Sequence, residues 1–451
     1  MGLGIVEDSA LAHVPGTSDI LQSETSNEHA TINPNLKYDR SGSVPILLVP
    51  QPSDGPNDPL NWPLWKRDVT LLALSFVSVL CATTSSLMAA NTVTIALHYG
   101  KSFTSVALLT GYHLCGVGVA GILIVPTARV WGKRHLFLLG NLLMVTEIGA
   151  NTPGRSNDYT ILKESHPLGE QQKHARASNP DSSMASSWNE NPTRQETPSK
   201  ASYHQSLKPF NGRKTDENFF KLLLRPFPLF FHPAILWACL IQGAIIGWTV
   251  FIGVVLAAIF LGPPLWFNEV QTGYLYTGAF IGSILGLILS GLLSDSMNRI
   301  MIKLNKGRYE PEFRILLVLF QLVFCGVGLY GFGIVAEDVG RYGWLVVDVF
   351  FAFVVIGMVM GAVASALYIV DAHRDIAIES FTCMLIFKNI FSFILTFFAY
   401  DWLVSNGIRP AFLAISSIQM GICVLSIPMY ILGKRNRSFF TRHDILKILR
   451  L

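Results

Sequence analysis

A lysine inside an apolar stretch is the residue of this 451-residue sequence that could most directly do chemistry. Lys388 lies near the middle of the stretch 381–400, and Asn389 follows it. A charged side chain inside a membrane-spanning helix costs about 2.5–3.5 kcal/mol on insertion scales, so it requires a partner or a role. An ammonium at this depth can meet a substrate, exchange a proton or pair with a carboxylate. A structural role, in which it bonds a backbone carbonyl or extends to the membrane surface, fits the sequence equally well.

Two further polar residues in apolar stretches complete the set of candidates for contact with a substrate or a proton. Asp348 is only four residues into the stretch 344–370, so a position at the membrane interface is the simpler interpretation. His113 stands in the stretch 106–125, where a hydrogen bond between helices is the default role of a polar side chain. The candidates are therefore Lys388, Asn389, Asp348 and His113.

The residue combinations that enzymes and metal proteins require are not found. The sequence has no nucleophile–base pair, no metal-ligand spacing and no glycine-rich phosphate motif. Its six cysteines lie within apolar stretches and show no paired spacing. We expect no catalytic residues, no bound metal, no cofactor and no enzymatic activity.

The composition indicates a protein that crosses a membrane several times. Hydrophobic residues make up 51% of the chain, charged residues only 14%, and the mean hydropathy is +0.42. A soluble domain of this size carries about 25% charged residues. The charges here lie between the apolar stretches, as they do in multi-span proteins. The net charge of +4 comes mostly from short connections and the tail, so nucleic acid is not an expected partner, whereas membrane lipid is.

The alternation of polar and apolar stretches predicts five regions. Residues 1–68 form a disordered cytosolic tail, because they are polar and rich in Ser, Asn and Pro. Residues 69–150 hold two spans and a short apolar segment, and 151–231 form a polar central loop. Residues 232–433 form six spans, and 434–451 form a second cytosolic tail. The six spans are predicted at 232–261, 273–293, 315–335, 344–370, 381–400 and 411–432.

Basic residues fall on alternate connections of the six-span region, which predicts its orientation. They precede the first span and follow the second, fourth and sixth, while the other connections carry few. Short loops rich in Lys and Arg stay in the cytosol, so both ends of this region are expected there. The segment 136–150 is too short to cross the membrane, and we expect the loop after it to be cytosolic as well.

Glycines recur with helical spacing in the second of these spans. Gly278, Gly282 and Gly286 are four residues apart and therefore share one helix face. Such a face allows a second helix to approach within backbone distance in lipid. The stretch then ends in Gly291, Asp295 and Arg299, which we interpret as a loop that pivots between helices.

Three motifs resemble those of the major facilitator superfamily. Its signature loop reads Gly-x-x-x-Asp-Arg-x-Gly-Arg-Arg, and Gly291 and Asp295 match it, with Arg299 as a nearby basic residue. A second copy at 127–134 matches at Gly132, Lys133 and Arg134, but Arg129 stands where the family has Asp. The run Asp-Pro-Leu-Asn-Trp at 58–62 is similar to fungal transporters of the drug:proton antiporter type.

The resemblance implies an all-α membrane protein of the major facilitator fold, with about twelve helices in two bundles. It also implies secondary transport of a small molecule, often cationic or amphipathic, by efflux coupled to protons at the plasma membrane. This chain departs from that pattern, because the block from the end of the third span through the sixth is missing. We therefore expect a complete C-terminal six-helix bundle, an incomplete N-terminal bundle and an internal deletion.

Two alternatives stay open at the level of sequence. The chain is either a transporter of this type or a non-transporting truncated product of an aberrant or alternative gene model. The charged connection that holds Asp371, Arg374, Asp375 and Glu379 is either a salt-bridge lock between helices or a plain solvated loop.

Overall fold

The computed structural model describes residues 3–7, 11, 14–19, 37–39, 46–47, 52, 58, 61–90, 92–150, 208, 210, 212–262, 264–449 and 451. These form two compact units. The first contains Met1–Thr31, Phe76–Gly132 and Gly212–Leu451, and the second contains Ile32–Ser75 and Lys133–Asn211. Most of the predicted central loop, residues 151–207, lies outside the described residues.

The described chain is almost entirely helical. Its N-terminal helices are α1 (Leu64–Ala90), α2 (Thr92–Tyr99), α3 (Phe103–Trp131) and α4 (Arg134–Ala150). Two short helices, α5 (Phe219–Leu224) and α6 (Pro226–Leu229), lead into the remaining ones. These are α7 (Pro233–Phe260), α8 (Glu269–Tyr274), α9 (Tyr276–Leu304), α10 (Val318–Glu337), α11 (Val339–Tyr342), α12 (Trp344–Ala372), α13 (Ala377–Asn406), α14 (Ile408–Val424), α15 (Ser426–Arg442) and α16 (Ile445–Ile448).

Two short 3₁₀ turns and four very short strands complete the described structure. The turns are Pro311–Leu317, directly before α10, and Arg374–Ile376, directly before α13. Strand β1 (Ser18–Asp19) pairs antiparallel with β4 (Arg308–Tyr309), so that Ser18 lies opposite Tyr309. Strand β2 (Tyr38–Asp39) pairs antiparallel with β3 (Ile46–Leu47).

Seven helical segments within the described part of the chain are long and apolar enough to cross a membrane. The expected all-α membrane fold is therefore confirmed. The segments are Phe103–Trp131, Pro233–Phe260, Val270–Leu304, Pro311–Glu337, Trp344–Ala372, Arg374–Asn406 and Ile408–Ile448. The last six overlap the six stretches that the sequence predicts as spans. Helix α4 is a shorter apolar helix.

Glycines set the spacing between the long helices. Helices α9 and α12 run parallel, and a Cβ at Gly282 would lie only 2.6 Å from the backbone oxygen of Ala352. Gly278 meets Asp348 and Gly286 meets Ile356 in the same register, one helical turn apart each time. The predicted stripe of small residues thus faces α12, and backbone contact replaces side-chain packing there.

The sequence-based expectation of a loop at Gly291, Asp295 and Arg299 is wrong. Helix α9 continues without interruption to Leu304, and the chain turns at Asn305–Gly307. The turn is possible where it lies because Gly307 adopts a positive φ of 84°, which glycine accepts without strain.

The expectation that residues 1–68 are disordered is wrong for residues 3–7 and 14–19. These residues pack against the end of the bundle that is formed by residues 305–312, 371–376 and 434–442. We call it the basic end. The backbone N–H of Val6 donates to the Ile431 carbonyl at 2.9 Å, and β1 pairs with β4. The Tyr430 hydroxyl donates to the Leu3 carbonyl at 3.1 Å.

Candidate functional site

Helix α3 lies antiparallel against α13 along most of its length. A Cβ at Gly118 would lie 3.3 Å from the Cβ of Asn389, and one at Gly121 would lie 2.6 Å from Leu385. Towards the other end, Gly111 leaves no room for a Cβ beside Thr396. This register carries Arg129, near the last turn of α3, to the first turn of α13.

An ion-pair network closes the α3–α13 contact at the basic end. Arg129 Nη1 lies 2.6 Å from Glu379 Oε1, and Arg129 Nε lies 3.0 Å from Glu217 Oε2. Arg225 Nη1 lies 3.2 Å from Glu217 and 3.7 Å from Glu379. These two arginines and two glutamates thus connect α3 and α13 to the segment 212–225, which precedes α7 in the chain. The sequence left two interpretations of the 371–379 connection, a salt bridge between helices and a solvated loop. Glu379 agrees with the first, whereas Arg374 and Asp375 are solvent-exposed and agree with the second.

The same segment after Gly212 also holds the end of α3 through its backbone. The N–H of Lys214 donates to the Val130 carbonyl at 2.7 Å, and the rings of Trp131 and Phe219 lie 5.5 Å apart. Gly132 ends the helix with a positive φ of 89°. The other two residues of the first signature motif, Lys133 and Arg134, are exposed.

Lys388 and Asn389 lie on α13 where it passes between α3 and α7. Asn389 is buried against Gly118, and its Nδ2 donates to the Leu385 carbonyl at 2.9 Å. The backbone of Lys388 packs against Gly243 of α7. Its side chain is half-buried, and no hydrogen bond or ion pair of its ammonium is found among the described residues. The structure therefore leaves a cation without a carboxylate partner in a membrane-spanning helix.

Asp348 and His113 occupy contrasting environments. Asp348 is 8% exposed and packs against Gly278, and its Oδ1 has no hydrogen-bond partner within the described structure. This burial comes from packing against α9, and the interfacial position of the carboxylate stays a prediction. His113 is exposed on α3, away from the α13 contact, so the expected hydrogen bond between helices is not found within the described residues. The structure does not bring the four candidate residues together in one cluster.

The signature stretch of α9 contributes to a second polar network through residues that the motif does not include. Gly291, Asp295 and Arg299 are exposed, whereas Ser294 and Asn298 are buried. Arg314 Nη1 donates to the Ser294 hydroxyl at 2.8 Å. The Asn298 amide, with its oxygen towards the guanidinium, lies 2.7–3.2 Å from it. Ser294 and Asn298 are four residues apart and therefore share one face of α9, but no sequence pattern marks them as the partners of Arg314.

Arg314 also contacts Asp371 at the end of α12, and this contact extends the network. Arg314 Nε lies 3.1 Å from Asp371 Oδ2, and the Tyr309 hydroxyl donates to the same oxygen. Burial, and then the neighbouring Asp371 carboxylate, raise the pKa of Tyr309, so the phenol keeps its proton. Helices α9 and α12 and the turn between α9 and α10 are therefore tied together by one guanidinium.

A third cluster, buried except for Glu7, joins α15 to the turn before α10. Arg437 Nη2 lies 2.8 Å from Glu312 Oε2 and 3.0 Å from Glu310 Oε2. Lys434 Nζ lies 2.8 Å from Glu310 and 2.6 Å from Glu7 in the N-terminal segment. Burial works against ionisation of Glu310, but hydrogen bonds from Lys434 and Thr17 outweigh it and hold the pKa of this carboxyl below its usual value.

The N-terminal segment completes this cluster rather than only covering it. The Thr17 hydroxyl donates to Glu310 Oε2 at 2.6 Å, and Arg437 Nη1 donates to the carbonyl of Pro15. No sequence pattern predicts these contacts, because the partners lie more than 290 positions apart in the chain.

Two histidines at the basic end pack against each other, His232 buried and His373 partly buried. The rings of His232 and His373 lie 4.7 Å apart, and the Phe440 ring lies 4.0 Å from His232. Burial lowers the pKa of His232 to about 4 and lowers the pKa of His373 well below its usual value. His232 Nδ1 accepts the Ala234 N–H and so caps α7, which fixes its tautomer as Nε2–H.

Comparisons with known proteins find transporters of similar sequence. No family model matches the chain, and no solved structure matches it. The chain is similar to Protein HOL1 of Saccharomyces cerevisiae, with 22% identity over 95% of this chain and 96% of the yeast protein. It is 23% identical to the MFS transporter cpaT of Aspergillus oryzae, over 52% of this chain and 46% of that protein. It is 24% identical to the MFS-type transporter penM of Penicillium rubens, over 50% of this chain and 44% of that protein.

The chain is similar to transporters of the major facilitator superfamily. The similarity supports membrane transport of a small molecule by a carrier of this superfamily, and the membrane-capable helices support an integral multi-pass membrane protein in contact with lipid. Because facilitators are transporters, the expectation that the chain is not an enzyme is also confirmed.

The length of the alignment bears on the predicted deletion in this facilitator. The alignment with HOL1 extends over 570 positions, more than the 451 residues of this chain. More than a hundred positions of the yeast protein therefore have no counterpart here. The chain also spans less than half the length of the cpaT and penM proteins that it matches.

Proposed function

We propose that this facilitator, in a form with a complete N-terminal bundle, exports a small cationic or amphipathic molecule in exchange for protons. The direction, the coupling ion and the substrate class are those implied by its resemblance to drug:proton antiporters. The proposed location is the plasma membrane, with both tails and the basic end in the cytosol. The basic connections described above support this orientation through the positive-inside rule.

The observation that carries the proposal is the Arg129–Glu379 contact between α3 and α13. Carriers of this fold expose a central site alternately to either side by rocking one bundle against the other. A contact that closes one end must then break and re-form in each cycle. Ion pairs that are partly exposed, as Arg129 is, contribute modest free energy and can exchange with water. We assign the cytosolic closing contact to this network.

The signature residues have a supporting role in this proposal. Gly132 ends α3 next to the network, and Lys133 and Arg134 hold the connection in the cytosol. Asp295 and Arg299 lie on the exposed face of α9, where the missing helices of a complete form would contact them. A Cβ at Gly291 would meet nothing within 4 Å in the described structure, which gives that face room for such a contact.

Lys388 is the proposed contact for substrate or proton at the level of the membrane. Placing a charged ammonium in the membrane costs free energy, and no ion-pair partner among the described residues offsets that cost. A lysine at this position therefore points to a role beyond structure. Asn389 beside it is fixed by a backbone hydrogen bond and would position α13 against α3. Asp348, the other unpartnered charge, is the second candidate for proton exchange.

The test is the Lys388→Ala variant of a form in which the missing block is restored. Export driven by an imposed proton gradient should fall at least tenfold while membrane abundance stays near normal. Lys303→Ala, at an exposed position on α9, is the control and should transport normally. Unchanged export by Lys388→Ala would show that Lys388 is structural or extends to the membrane surface.

The second candidate function is a non-transporting membrane protein, and the gap in the HOL1 alignment favours it for the chain as it stands. Alternating access needs two bundles around the site, and the sequence predicts only part of the first in this chain. Expressed alone in a transporter-deficient fungal host, the 451-residue chain should therefore not support gradient-dependent export. Robust export by it would refute this candidate, and transcript sequencing would show whether a longer reading frame exists.

A further inference from the structure

An apolar groove of about 570 Å³ runs between the first turns of α7 and the bend where α14 meets α15. Its walls are the side chains of Pro233, Leu236, Trp237, Leu240, Leu425, Pro428, Met429 and Leu432. At one end, nearest the basic end of the bundle, the lining changes to Arg435, Asn436 and Phe439. A groove of this size is in the range of ligand-binding sites, roughly 300–1,000 Å³.

The groove exists because the last membrane-spanning segment is interrupted. Helix α14 ends at Val424, and α15 begins at Ser426 with Pro428 in its first turn. Proline has no backbone N–H and cannot continue the regular hydrogen bonding of the preceding turn. The indole of Trp237 fixes this bend, because its Nε1 donates to the Ser426 hydroxyl at 3.0 Å. Trp237 thereby becomes the floor of the groove.

Two polar groups at the end of the groove are not engaged elsewhere in the described structure. Arg435 is exposed, and no ion pair of its guanidinium is found among the described residues. The Asn436 Nδ2 is buried and has no hydrogen-bond partner there. Their neighbours Lys434 and Arg437 turn inwards to Glu310 and Glu312. Helix α15 thus presents one basic face to the buried cluster and one to the groove.

We propose that this groove binds an anionic phospholipid, with its phosphate at Arg435 and Asn436 and one acyl chain over Trp237. A guanidinium binds phosphate through paired hydrogen bonds, and the Asn436 amide supplies a further donor. Basic pockets between membrane helices are known to recognise anionic headgroups. A free phosphate would leave the apolar walls unoccupied, and a zwitterionic lipid would bring its own cationic group next to Arg435. The lipid would stabilise the α7–α15 contact from its outer side.

The experiment compares lipids by native mass spectrometry of the purified full chain in detergent micelles. The probes are phosphatidylserine and phosphatidylcholine with the same palmitoyl and oleoyl chains, and glycerophosphoserine, which has the headgroup without chains. We expect phosphatidylserine to bind more tightly than phosphatidylcholine and glycerophosphoserine not to compete. Arg435→Gln should weaken phosphatidylserine binding about five- to tenfold, the effect of one basic residue on an anionic lipid.

Matched variants separate the headgroup from the acyl chain. Arg299→Gln removes an exposed arginine on α9, which does not line the groove, and should leave binding unchanged. Leu236→Trp fills the groove and should weaken both lipids. Asn436→Leu is a second headgroup variant in case Arg435→Gln does not fold, as judged by its elution and melting without lipid. Equal binding of the two lipids, no effect of either headgroup variant, or full competition by glycerophosphoserine would each overturn the proposal.

Discussion

The Arg129 guanidinium lies 2.6 Å from the Glu379 carboxylate, although 250 positions separate the two residues in the chain. Arg129 replaces the acidic residue that the facilitator signature motif has at this position. In the structure, the positive charge of Arg129 pairs with the negative charge of Glu379 on α13. The contact between α3 and α13 is therefore an attraction between opposite charges. This relationship gives the first prediction.

Replacing Glu379 by Gln should lower the melting temperature of the detergent-solubilised protein by a few degrees. The substitution removes a charge that is nearly buried and leaves Arg129 and Arg225 facing each other across the network. In a double-mutant cycle with Arg129→Gln, the coupling energy should be about 1–2 kcal/mol, within the usual range for contacting residues. Glu337→Gln is the control, since its pair with Arg409 is exposed and 4.0 Å long. Additive effects of the two substitutions would contradict the contact.

Gly282→Ala should destabilise the protein, whereas Gly291→Ala on the same helix should be neutral or slightly stabilising. A Cβ at Gly282 meets the Ala352 backbone, which cannot move aside by rotating a side chain, while one at Gly291 meets nothing within 4 Å. Alanine is otherwise favoured over glycine in a helix by about 1 kcal/mol. Thermal unfolding of the two variants checks the prediction. Equal effects would show that α9 and α12 are farther apart than described.

Arg437→Met should reduce stability severely, by about 3–5 kcal/mol, because it leaves Glu312 and Glu310 buried with one fewer cation. The N-terminal segment should also be released, since the Pro15 carbonyl and Thr17 lose a donor. Limited proteolysis around residues 8–20 reports that release. Arg442→Met, at an exposed position of the same helix, is the control. Retained stability and protection in Arg437→Met would refute the importance of this cluster.

Stability should fall as the pH is lowered from about 6.5 towards 4, because of the buried histidine pair. The pKa of His232 is about 4 in the folded protein and 6.5 as an unperturbed side chain, so the unfolded chain binds more protons in this interval. The contribution of His232 is fully present above pH 6.5 and is lost progressively below it, on the order of 3 kcal/mol in total.

Asparagine at position 232 separates the titration from the helix cap. His232→Asn keeps a side-chain acceptor for the Ala234 N–H and removes the titrating ring, so melting temperatures should depend less on pH between 6.5 and 4. His443→Asn, at an exposed position near the same end, should keep the dependence of the unmodified protein. An unaltered pH profile in His232→Asn would contradict the assignment.

The segment 136–150 should not cross the membrane, and the loop after it should be cytosolic. The structure gives this segment one helix of 17 residues, Arg134–Ala150, or roughly 26 Å at about 1.5 Å per residue, against a hydrocarbon core of about 30 Å. Crossing would also place the basic loop after α9 outside. A glycosylation acceptor near Ser182 should stay unmodified in microsomes, while one inserted with a spacer at 338–343 should be modified. Efficient modification near Ser182 would refute this topology.

The sequence alone determined that the chain is a helical membrane protein and which segments form its long helices. Continuous apolar stretches must become helices in lipid, because only a helix satisfies every backbone polar group within one segment. The glycine spacing at 278–286 also determined which face of α9 allows close approach, since that periodicity is local.

Only the tertiary structure decided which charges meet. Arg129 finds Glu379, Arg437 finds Glu312, and the N-terminal segment binds at Glu310 and Lys434, all across more than a hundred positions of sequence. The choice of Ser294 and Asn298 over Asp295 depended on the rotation of α9 against the turn before α10. Pairing of this kind depends on helix rotation and register, which are set by packing between elements and leave no mark in the local sequence.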